Sequence, residues 1–273
     1  MKKLIVITDW ADDSLTRQEF RSAVEGFLQQ PELANINYVS STPSTIHTGY
    51  LLAQVVEIEE QYGRPLKTII FQNTVIHSSN QEDSSQTKGD NFIVIKLKTG
   101  IYVCGPNAGY DFSLIKPKID EIFVYQGLID KDTHFRSRDL YSRVCAHLID
   151  EMEDEMGLEE THMNIVPYLK GFYIGHIDNY GNIKTTIIHE DIKGKYEFGN
   201  EIEVEINKVK KKVTYVPSLF VGSTGQLVIY PGSSGSKDNP YLEISVWRCF
   251  DEEKCDDILA KFNYPRPGME IKF

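Results

Sequence analysis

The stretch Leu4-Ile5-Val6-Ile7-Thr8-Asp9 decides the fold class of this chain. Four consecutive apolar residues are typical of a buried strand, and the run is too short for the apolar core of a signal peptide. Asp9 follows at the carboxyl end of this strand, where open α/β sheets bind their ligands. Ser14 then occupies the N-cap position of a helix whose apolar residues, Phe20 to Leu28, recur at helical spacing. A buried strand followed by an amphipathic helix predicts an α/β domain with a mostly parallel sheet.

The same alternation continues along the first part of the chain. The pattern predicts further strands at residues 37–39, 68–71 and 119–125, a hairpin at 92–95 and 101–104, and helices from about 45 and 138. From Val166 onward strands dominate, and Glu201–Ile206 alternates charged and apolar residues as a strand with one wet face does. We therefore predict two domains, an α/β domain over residues 1–165 and an all-β, barrel-like domain over residues 166–273.

Composition limits the classes of function. The chain has 273 residues, 41% of them hydrophobic, and a formal net charge of −11. This charge argues against a nucleic-acid-binding protein, which normally presents a basic surface. No apolar run approaches transmembrane length, and the four cysteines show neither metal-binding nor disulfide spacing. We expect a cytoplasmic protein with free thiols, no metal site and no membrane association.

A second informative stretch is Gly175–Ile187, where Asp, Asn and Gly residues crowd between two β-prone runs. Gly181 can adopt the positive φ of a tight turn, and Asp178 and Asn182 place a carboxylate and an amide on either side of it. Taken alone, this is an ordinary hairpin turn. However, Ile177-Asp178-Asn179-Tyr180-Gly181-Asn182 resembles the signature of the S-adenosylmethionine (SAM) hydroxide adenosyltransferase and SAM-dependent chlorinase–fluorinase family. Members of that family attack the C5′ carbon of SAM.

Three further stretches resemble motifs of the same family, in the same order along the chain. Thr133–Asp139 resembles its Thr-Phe-His-Gly-Arg-Asp element, with Phe135, Arg138 and Asp139 in register. Cys104–Tyr110 resembles its Ala-Pro-Asp/Asn-Asn-Gly-Leu turn. Gly232–Val246 resembles its Ser-Ser-Gly-Tyr-Leu-Glu-Ile-Ala ending, with Ser236–Pro240 inserted. Read alone, these stretches are helix-start charges and polar turns.

The resemblance implies which residues bind SAM. Asp9 matches the aspartate that binds the ribose, and Asp13 matches the position that contacts the methionine amine. The alternative is that the carboxylates and hydroxyl of Asp12–Ser14 only cap the following helix. The other SAM-binding residues that the resemblance implies are Asp178, Tyr180, Asn182, Asn107, Ser233 and Ser234. It also implies a homotrimer with each site between two subunits, and no cofactor other than SAM itself, as substrate.

The residues that activate water in this family are replaced here. An ungapped alignment puts Asn73 in place of its aspartate, Asn80 in place of its arginine and Arg136 in place of its histidine. Asparagine cannot accept a proton, and arginine stays protonated. Ser137 matches a serine that halogenating members place near their halide. His77 is a candidate replacement base; alternatively, Asn73, Arg136 and Ser137 form a catalytic site suited to an anionic nucleophile.

The resemblance thus implies an enzyme that transfers the adenosyl C5′ carbon of SAM to water, giving adenosine and methionine. General acid–base catalysis is typically worth about 10²- to 10⁴-fold, but the sulfonium is a good leaving group, so positioning alone retains some rate. One alternative is a SAM- or adenosine-binding protein without turnover. Another is an enzyme that uses a halide or other anion as nucleophile. An unrelated two-domain protein is preferred if Asp9 and Asp178 do not face a common cleft.

Overall fold

The computed structural model describes residues 1–74, 91–127, 133–247 and 258–273. The predicted candidates His77 and Asn80 lie outside the described residues. The chain folds as two compact units, the N-terminal unit Met1–Leu169 and the C-terminal unit Lys170–Phe273. None of the helices in these ranges is long and apolar enough to cross a membrane.

The N-terminal unit contains a seven-stranded sheet in the order β2-β1-β3-β5-β4-β6-β7. Its strands are β1 (Lys2–Thr8), β2 (Ala34–Ser40), β3 (Thr68–Asn73), β4 (Phe92–Leu97), β5 (Tyr102–Pro106), β6 (Ile119–Tyr125) and β7 (Leu158–Glu160). The pairs β1–β2, β1–β3 and β3–β5 are parallel, whereas β4 is antiparallel to β5 and β6, and β7 is antiparallel to β6. Strands β1, β2, β3, β5 and β6 therefore share one direction, which confirms the predicted α/β domain with a mostly parallel sheet.

Helices cover both faces of this sheet. They are α1 (Ser14–Phe27), α2 (Thr45–Gln61) and α3 (Ser142–Ile149), the last preceded by one π-helical turn, Ser137–Tyr141. Alternate residues of β1 point to opposite faces. Leu4 and Val6 pack in the core that contains α1 and α3, and Ile5 and Ile7 pack in the core that contains α2.

The N-cap of α1 corrects the sequence prediction by one residue. Ser14 is already the first helical residue, and the cap is Asp13, whose carboxylate accepts hydrogen bonds from the backbone N–H groups of Leu15 and Thr16. Serine and aspartate are about equally good caps, so two adjacent cap-forming residues leave the boundary undecided until the backbone geometry is known.

The C-terminal unit is a closed barrel in the order β10-β11-β12-β13-β9-β8-β14. Its strands are β8 (Phe172–Ile177), β9 (Ile183–Ile188), β10 (Glu201–Ile206), β11 (Val209–Tyr215), β12 (Leu227–Gly235), β13 (Pro240–Val246) and β14 (Glu270–Lys272), with short helices α4 (His189–Ile192) and α5 (Ile258–Lys261). The apolar residues of β10 are buried in the barrel core, while Glu201 and Glu203 pair with exposed lysines of β11. The predicted barrel-like domain is confirmed.

Candidate functional site

Three predicted site residues lie at one edge of the N-terminal sheet. Asp9 follows β1, Asn73 ends β3 and Asn107 follows β5. The parallel register aligns Thr8 with Asn73 and Phe71 with Cys104, so the carboxyl ends of these strands coincide. This is the edge at which open α/β sheets bind ligands.

Asn73 and Ser137 form a buried pair at this edge. The Asn73 Nδ2 donates to Ser137 Oγ at 2.7 Å, and the two residues are 7% and 2% exposed. The buried Asn73 Oδ1 has no hydrogen-bond partner among the described residues. A neutral amide and a neutral hydroxyl therefore stand where the resemblance puts a water-activating aspartate and a serine near the halide, and neither group can act as a general base at neutral pH.

The charged residues next to Ser137 differ in their surroundings. Arg136 is exposed, directly before the π-helical turn. Arg138 Nε donates to Asp139 Oδ1 at 2.6 Å, and Arg138 Nη1 donates to Glu19 at 3.2 Å. The hydrogen bond from Arg138 lowers the pKa of the Asp139 carboxyl. Arg138 and Asp139 thus form a surface ion pair at the start of a helix. This agrees with the alternative that the two residues are only helix-start charges.

Other predicted SAM ligands of this unit have structural partners. Asp13 is exposed and caps α1, and the hydrogen bond from the backbone of Thr16 is the largest cause of its lowered pKa. Asn107 Nδ2 donates to the Ile165 carbonyl at 2.9 Å. Asp9 is half-buried, and Thr8 Oγ1 donates to its Oδ1 at 3.4 Å. Asp13 accepts two backbone hydrogen bonds, whereas the Asp9 carboxylate accepts none within the described part of the chain.

In the C-terminal unit, the Asp178–Asn182 turn is closed by its own side chains. Asp178 Oδ1 accepts from the backbone N–H groups of Tyr180 and Asn182, at 2.9 and 3.0 Å, and Oδ2 accepts from Asn182 Nδ2 at 3.0 Å. Gly181 has φ of 81°, as the turn chemistry predicts. Tyr180 is 90% exposed. The hairpin turn is therefore present, with the carboxylate of Asp178 at its centre.

Ser245 fixes the orientation of the Asn182 side chain. Ser245 Oγ donates to Asn182 Oδ1 at 2.5 Å. Because the Asp178 carboxylate only accepts hydrogen bonds, the amide nitrogen must face Asp178 and the amide oxygen must face Ser245. One N–H and one lone pair of the Asn182 amide remain for a further partner. Sequence reasoning missed Ser245, which stands where the family motif has alanine.

Glu243 lies at the centre of a polar network on the same side of the barrel. It is 4% exposed, and its Oε1 accepts from Lys184 Nζ at 2.7 Å. The predicted SAM ligands Ser233 and Ser234 also donate to this oxygen, at 2.9 Å from the Ser233 backbone N–H and 3.2 and 3.3 Å from the two hydroxyls. Sequence reasoning missed Glu243 and Lys184; in each case the signal was the one charged residue of a strand.

The Asn182–Ser245 pair and the polar network around Glu243 are neighbours on the barrel. In the register of β9 and β13, Lys184 faces Glu243 and Ile183 faces Ile244, so the Asn182–Ser245 and Lys184–Glu243 pairs are successive pairs on one face. His176 of β8 faces Lys184. Burial first, and then the Lys184 ammonium, lower the pKa of the His176 imidazole. We call this set the barrel polar face: His176, Asp178, Asn182, Lys184, Ser233, Ser234, Glu243 and Ser245. Within the described part of the chain, no three His, Cys, Asp or Glu side chains come together to hold a metal ion.

Comparison with known proteins yields one curated relative and several solved structures. No protein-family profile matches the chain. The (R)-S-adenosyl-L-methionine hydrolase of Methanocaldococcus jannaschii is 28% identical over 116 residues, which cover 38% of this chain and 40% of that protein. The chain thus matches about two-fifths of the length of this curated relative.

Two solved structures match almost the whole chain. An uncharacterized conserved protein from Thermotoga maritima has a TM-score of 0.70 at 18% identity and covers 98% of both chains. A conserved hypothetical protein from Thermus thermophilus has a TM-score of 0.65 at 16% identity, over 100% of this chain and 99% of that one. At these identities the two structures show a shared fold alone. The predicted resemblance to the SAM hydroxide adenosyltransferase family is confirmed at this level: over 38% of its length the chain is similar to a SAM hydrolase.

Proposed function

We propose that this protein cleaves SAM by attack of water on the C5′ carbon. The new C5′–O bond forms as the C5′–S bond breaks, the electron pair passes to the sulfonium, and a proton is released to solvent. The products are adenosine and methionine. The observation that supports the proposal is that Asp9 follows Thr8, the register partner of Asn73, at the edge where open α/β sheets bind ligands, and that Asn73 is hydrogen-bonded to the buried Ser137.

Each unit contributes one set of SAM-binding residues to this proposal. Asp9 accepts hydrogen bonds from the two ribose hydroxyls. The polar barrel residues Asp178, Asn182, Ser233 and Ser234, with Tyr180, bind the adenine and methionine ends. Asn107 and Asp13 are further ligands by resemblance, and the homotrimer is proposed on the same ground.

Neither residue of the Asn73–Ser137 pair can act as the general base of the proposed reaction. Asn73 Oδ1 is buried and unpaired, so it can accept a hydrogen bond from the attacking water and orient it. Arg136 is exposed beside Ser137 and adds positive charge. Because a base is typically worth about 10²- to 10⁴-fold, we expect turnover well below that of a hydrolase with the complete set.

The test is incubation of the full chain with SAM of either sulfonium configuration, with and without chloride, followed by chromatography of the nucleosides. The expected product is adenosine in both buffers, and Asp9→Ala should abolish it. Asp12→Ala is the matched control, since Asp12 is a nearby exposed carboxylate that accepts from Ser40 Oγ at 2.7 Å. A nucleoside formed only with chloride would replace water by a halide as nucleophile.

A second candidate function is SAM binding without turnover. The neutral Asn73–Ser137 pair favours it, because neither group can take a proton from water. Calorimetric titration with SAM distinguishes the two functions: saturable binding without any nucleoside product supports the binding protein. Absence of binding would contradict both.

A further inference from the structure

We propose that Thr48 is a positioning residue for SAM cleavage: its buried hydroxyl holds the carboxyl end of β3, and with it the Asn73 amide, in place. The inference rests on the proposed function and adds a residue to it. Its basis is a set of three mutually bonded hydroxyl groups, which we call the hydroxyl triangle: Ser41 after β2, Thr48 in α2 and Thr74 after β3.

The hydrogen bonds of the hydroxyl triangle have a defined direction. Thr48 Oγ1 donates to Ser41 Oγ at 3.2 Å. A threonine hydroxyl has a single proton, so the 2.5 Å hydrogen bond between Thr48 and Thr74 must be donated by Thr74. The third contact, between Ser41 and Thr74, is longer at 3.4 Å. Thr48 is therefore the central residue, and the short hydrogen bond from the end of β3 depends on it as the acceptor.

The end of β3 is held from both faces of the sheet. Asn73 Nδ2 donates to Ser137 Oγ on the face that carries α1 and α3, and the next residue, Thr74, donates to Thr48 of α2 on the other face. Successive residues of a strand point to opposite faces, so one backbone segment carries both contacts. Ser137 fixes only the amide nitrogen of Asn73. The direction of Asn73 Oδ1, which orients the attacking water in the proposed reaction, therefore also depends on the backbone that Thr48 restrains.

Burial and close packing keep the Thr48 hydroxyl at a fixed position. Thr48 and Thr74 are both fully buried, so water does not replace a hydrogen bond that either hydroxyl loses. The next residue of α2 is Gly49, where an added Cβ would lie 2.7 Å from the backbone carbonyl oxygen of Tyr110. The backbone of α2 therefore packs directly against another segment at this point. The helix cannot move in that direction to give Thr74 a new partner when the Thr48 hydroxyl is removed.

The experiment measures the kinetics of adenosine formation from SAM by the full chain. In Thr48→Val, which lacks the hydroxyl, we expect kcat to fall about 10- to 100-fold, the range for a displaced group that acts on the reacting atoms. The KM for SAM should stay unchanged, because the residues proposed to bind SAM are intact. Thr48→Ser keeps a hydroxyl at this position and should restore kcat toward the wild-type value.

Thr68→Val is the matched control, because Thr68 lies at the other end of the same strand. It is 2% exposed, and its Oγ1 donates to Glu59 Oε2 at 3.0 Å. This variant also loses a buried hydroxyl, so it should be destabilised in the same way as Thr48→Val but keep the wild-type kcat. Circular dichroism checks that each variant is folded. Thr74→Val breaks the same hydrogen bond from the other side and replaces Thr48→Val if that variant does not fold.

Combination with Asn73→Ala tests whether Thr48 acts through the Asn73 amide. Once this amide is removed, Thr48→Val should cause no further loss of rate, because two residues that act through one group are not additive. Single-turnover assays with the protein in excess over SAM measure the low rates of these variants.

The outcomes separate this inference from the proposed function. A wild-type kcat in Thr48→Val, or an equal loss in Thr68→Val, would overturn the positioning role and leave SAM cleavage standing. The same factor of loss with and without the Asn73 amide would show that Thr48 does not act through Asn73. A wild type that forms no adenosine from SAM would overturn the proposed function together with the inference.

Discussion

At the residue scale, the Asn73–Ser137 hydrogen bond contributes to the stability of the sheet edge. Ser137→Ala would leave both polar atoms of the buried Asn73 amide without a protein partner. We expect it to lower the free energy of unfolding by about 1–3 kcal/mol, the cost of buried unpaired polar groups. Urea denaturation measures this difference.

Ser113→Ala is the control for this substitution. Ser113 is also buried, at 6% exposure, but its hydroxyl has no hydrogen-bond partner in the described ranges. Its removal should change the free energy of unfolding by no more than about 0.5 kcal/mol, or stabilise the protein. Equal losses in both variants would show that the Asn73–Ser137 hydrogen bond adds nothing.

His176 makes the stability depend on pH. Its pKa is lowered from the ordinary value of 6.5 because the imidazole is buried and lies near Lys184. The unfolded chain therefore binds this proton more readily than the folded chain does. The contribution to stability is complete above the unfolded pKa and is lost as the pH falls through that value toward the folded pKa.

We expect the free energy of unfolding to decrease between about pH 7 and pH 5, and to decrease less in His176→Gln. The difference in slope is at most about 1.4 kcal/mol per pH unit, the limit for one proton. His147, whose pKa is also lowered by burial, is present in both proteins, so its effect cancels in the comparison. Parallel pH profiles for the two proteins would refute the assignment to His176.

At the element scale, Asp13 determines where α1 begins. Asp13→Asn keeps a side-chain oxygen that can cap the helix, whereas Asp13→Ala removes it. We expect the alanine variant to melt a few degrees lower and the asparagine variant to melt close to the wild type. Thermal unfolding followed by circular dichroism measures this.

The same two variants separate the structural and ligand roles of Asp13. If its carboxylate also binds the methionine amine, SAM affinity falls in both variants, because both lack the negative charge. If Asp13 only caps α1, the asparagine variant binds SAM as the wild type does. A lower melting temperature in Asp13→Asn would contradict the cap.

The close approach of β12 and β13 depends on Gly232. A Cβ at this position would lie within 2.3 Å of Glu243 Cγ. Gly232→Ala should therefore lower the free energy of unfolding by about 1–3 kcal/mol through overpacking.

Gly26→Ala in α1 is the control: an added Cβ there meets no atom within 4 Å. It should be neutral or stabilise by about 0.5–1 kcal/mol, as alanine does in a helix. No loss for Gly232→Ala would mean that Glu243 can move away at little cost.

At the scale of the whole molecule, the proposed homotrimer makes a prediction that single-site variants do not. Asp9→Ala and Asp178→Ala should each abolish the proposed activity. If each SAM is bound by residues of two subunits, an equal mixture of the two variants, co-refolded, should regain about one quarter of wild-type activity, the chance that both halves of a site are intact.

Analytical ultracentrifugation is needed alongside, because recovery requires an oligomer. A monomeric protein, or a trimer whose mixed form stays inactive while the wild type is active, would contradict the shared site. The wild type refolded in the same way is the control for losses during refolding.

The sequence by itself determined the helices and strands and the hairpin turn at Asp178–Asn182. β1 and α1 follow from local patterns of apolar residues. β1 is buried on both faces and is a continuous apolar run, whereas α1 is buried on one face and repeats its apolar residues about every 3.6 positions. The hairpin at Asp178–Asn182 was equally predictable, since only certain residues tolerate or close such a turn. These features depend on neighbours within a few residues.

Only the tertiary structure decided which side chains meet. Asn73 and Ser137 are 64 residues apart, and Lys184 and Glu243 are 59 residues apart. The first contact depends on how the π-helical turn packs at the end of β3. The second depends on the register of β9 and β13, where a shift of one residue would turn a side chain to the opposite face. A local pattern does not encode that register, because it is set by the packing of the whole sheet or barrel. The resemblance therefore grouped Asn73 with Ser137, but their hydrogen bond and the partnership of Lys184 with Glu243 emerged only from the fold.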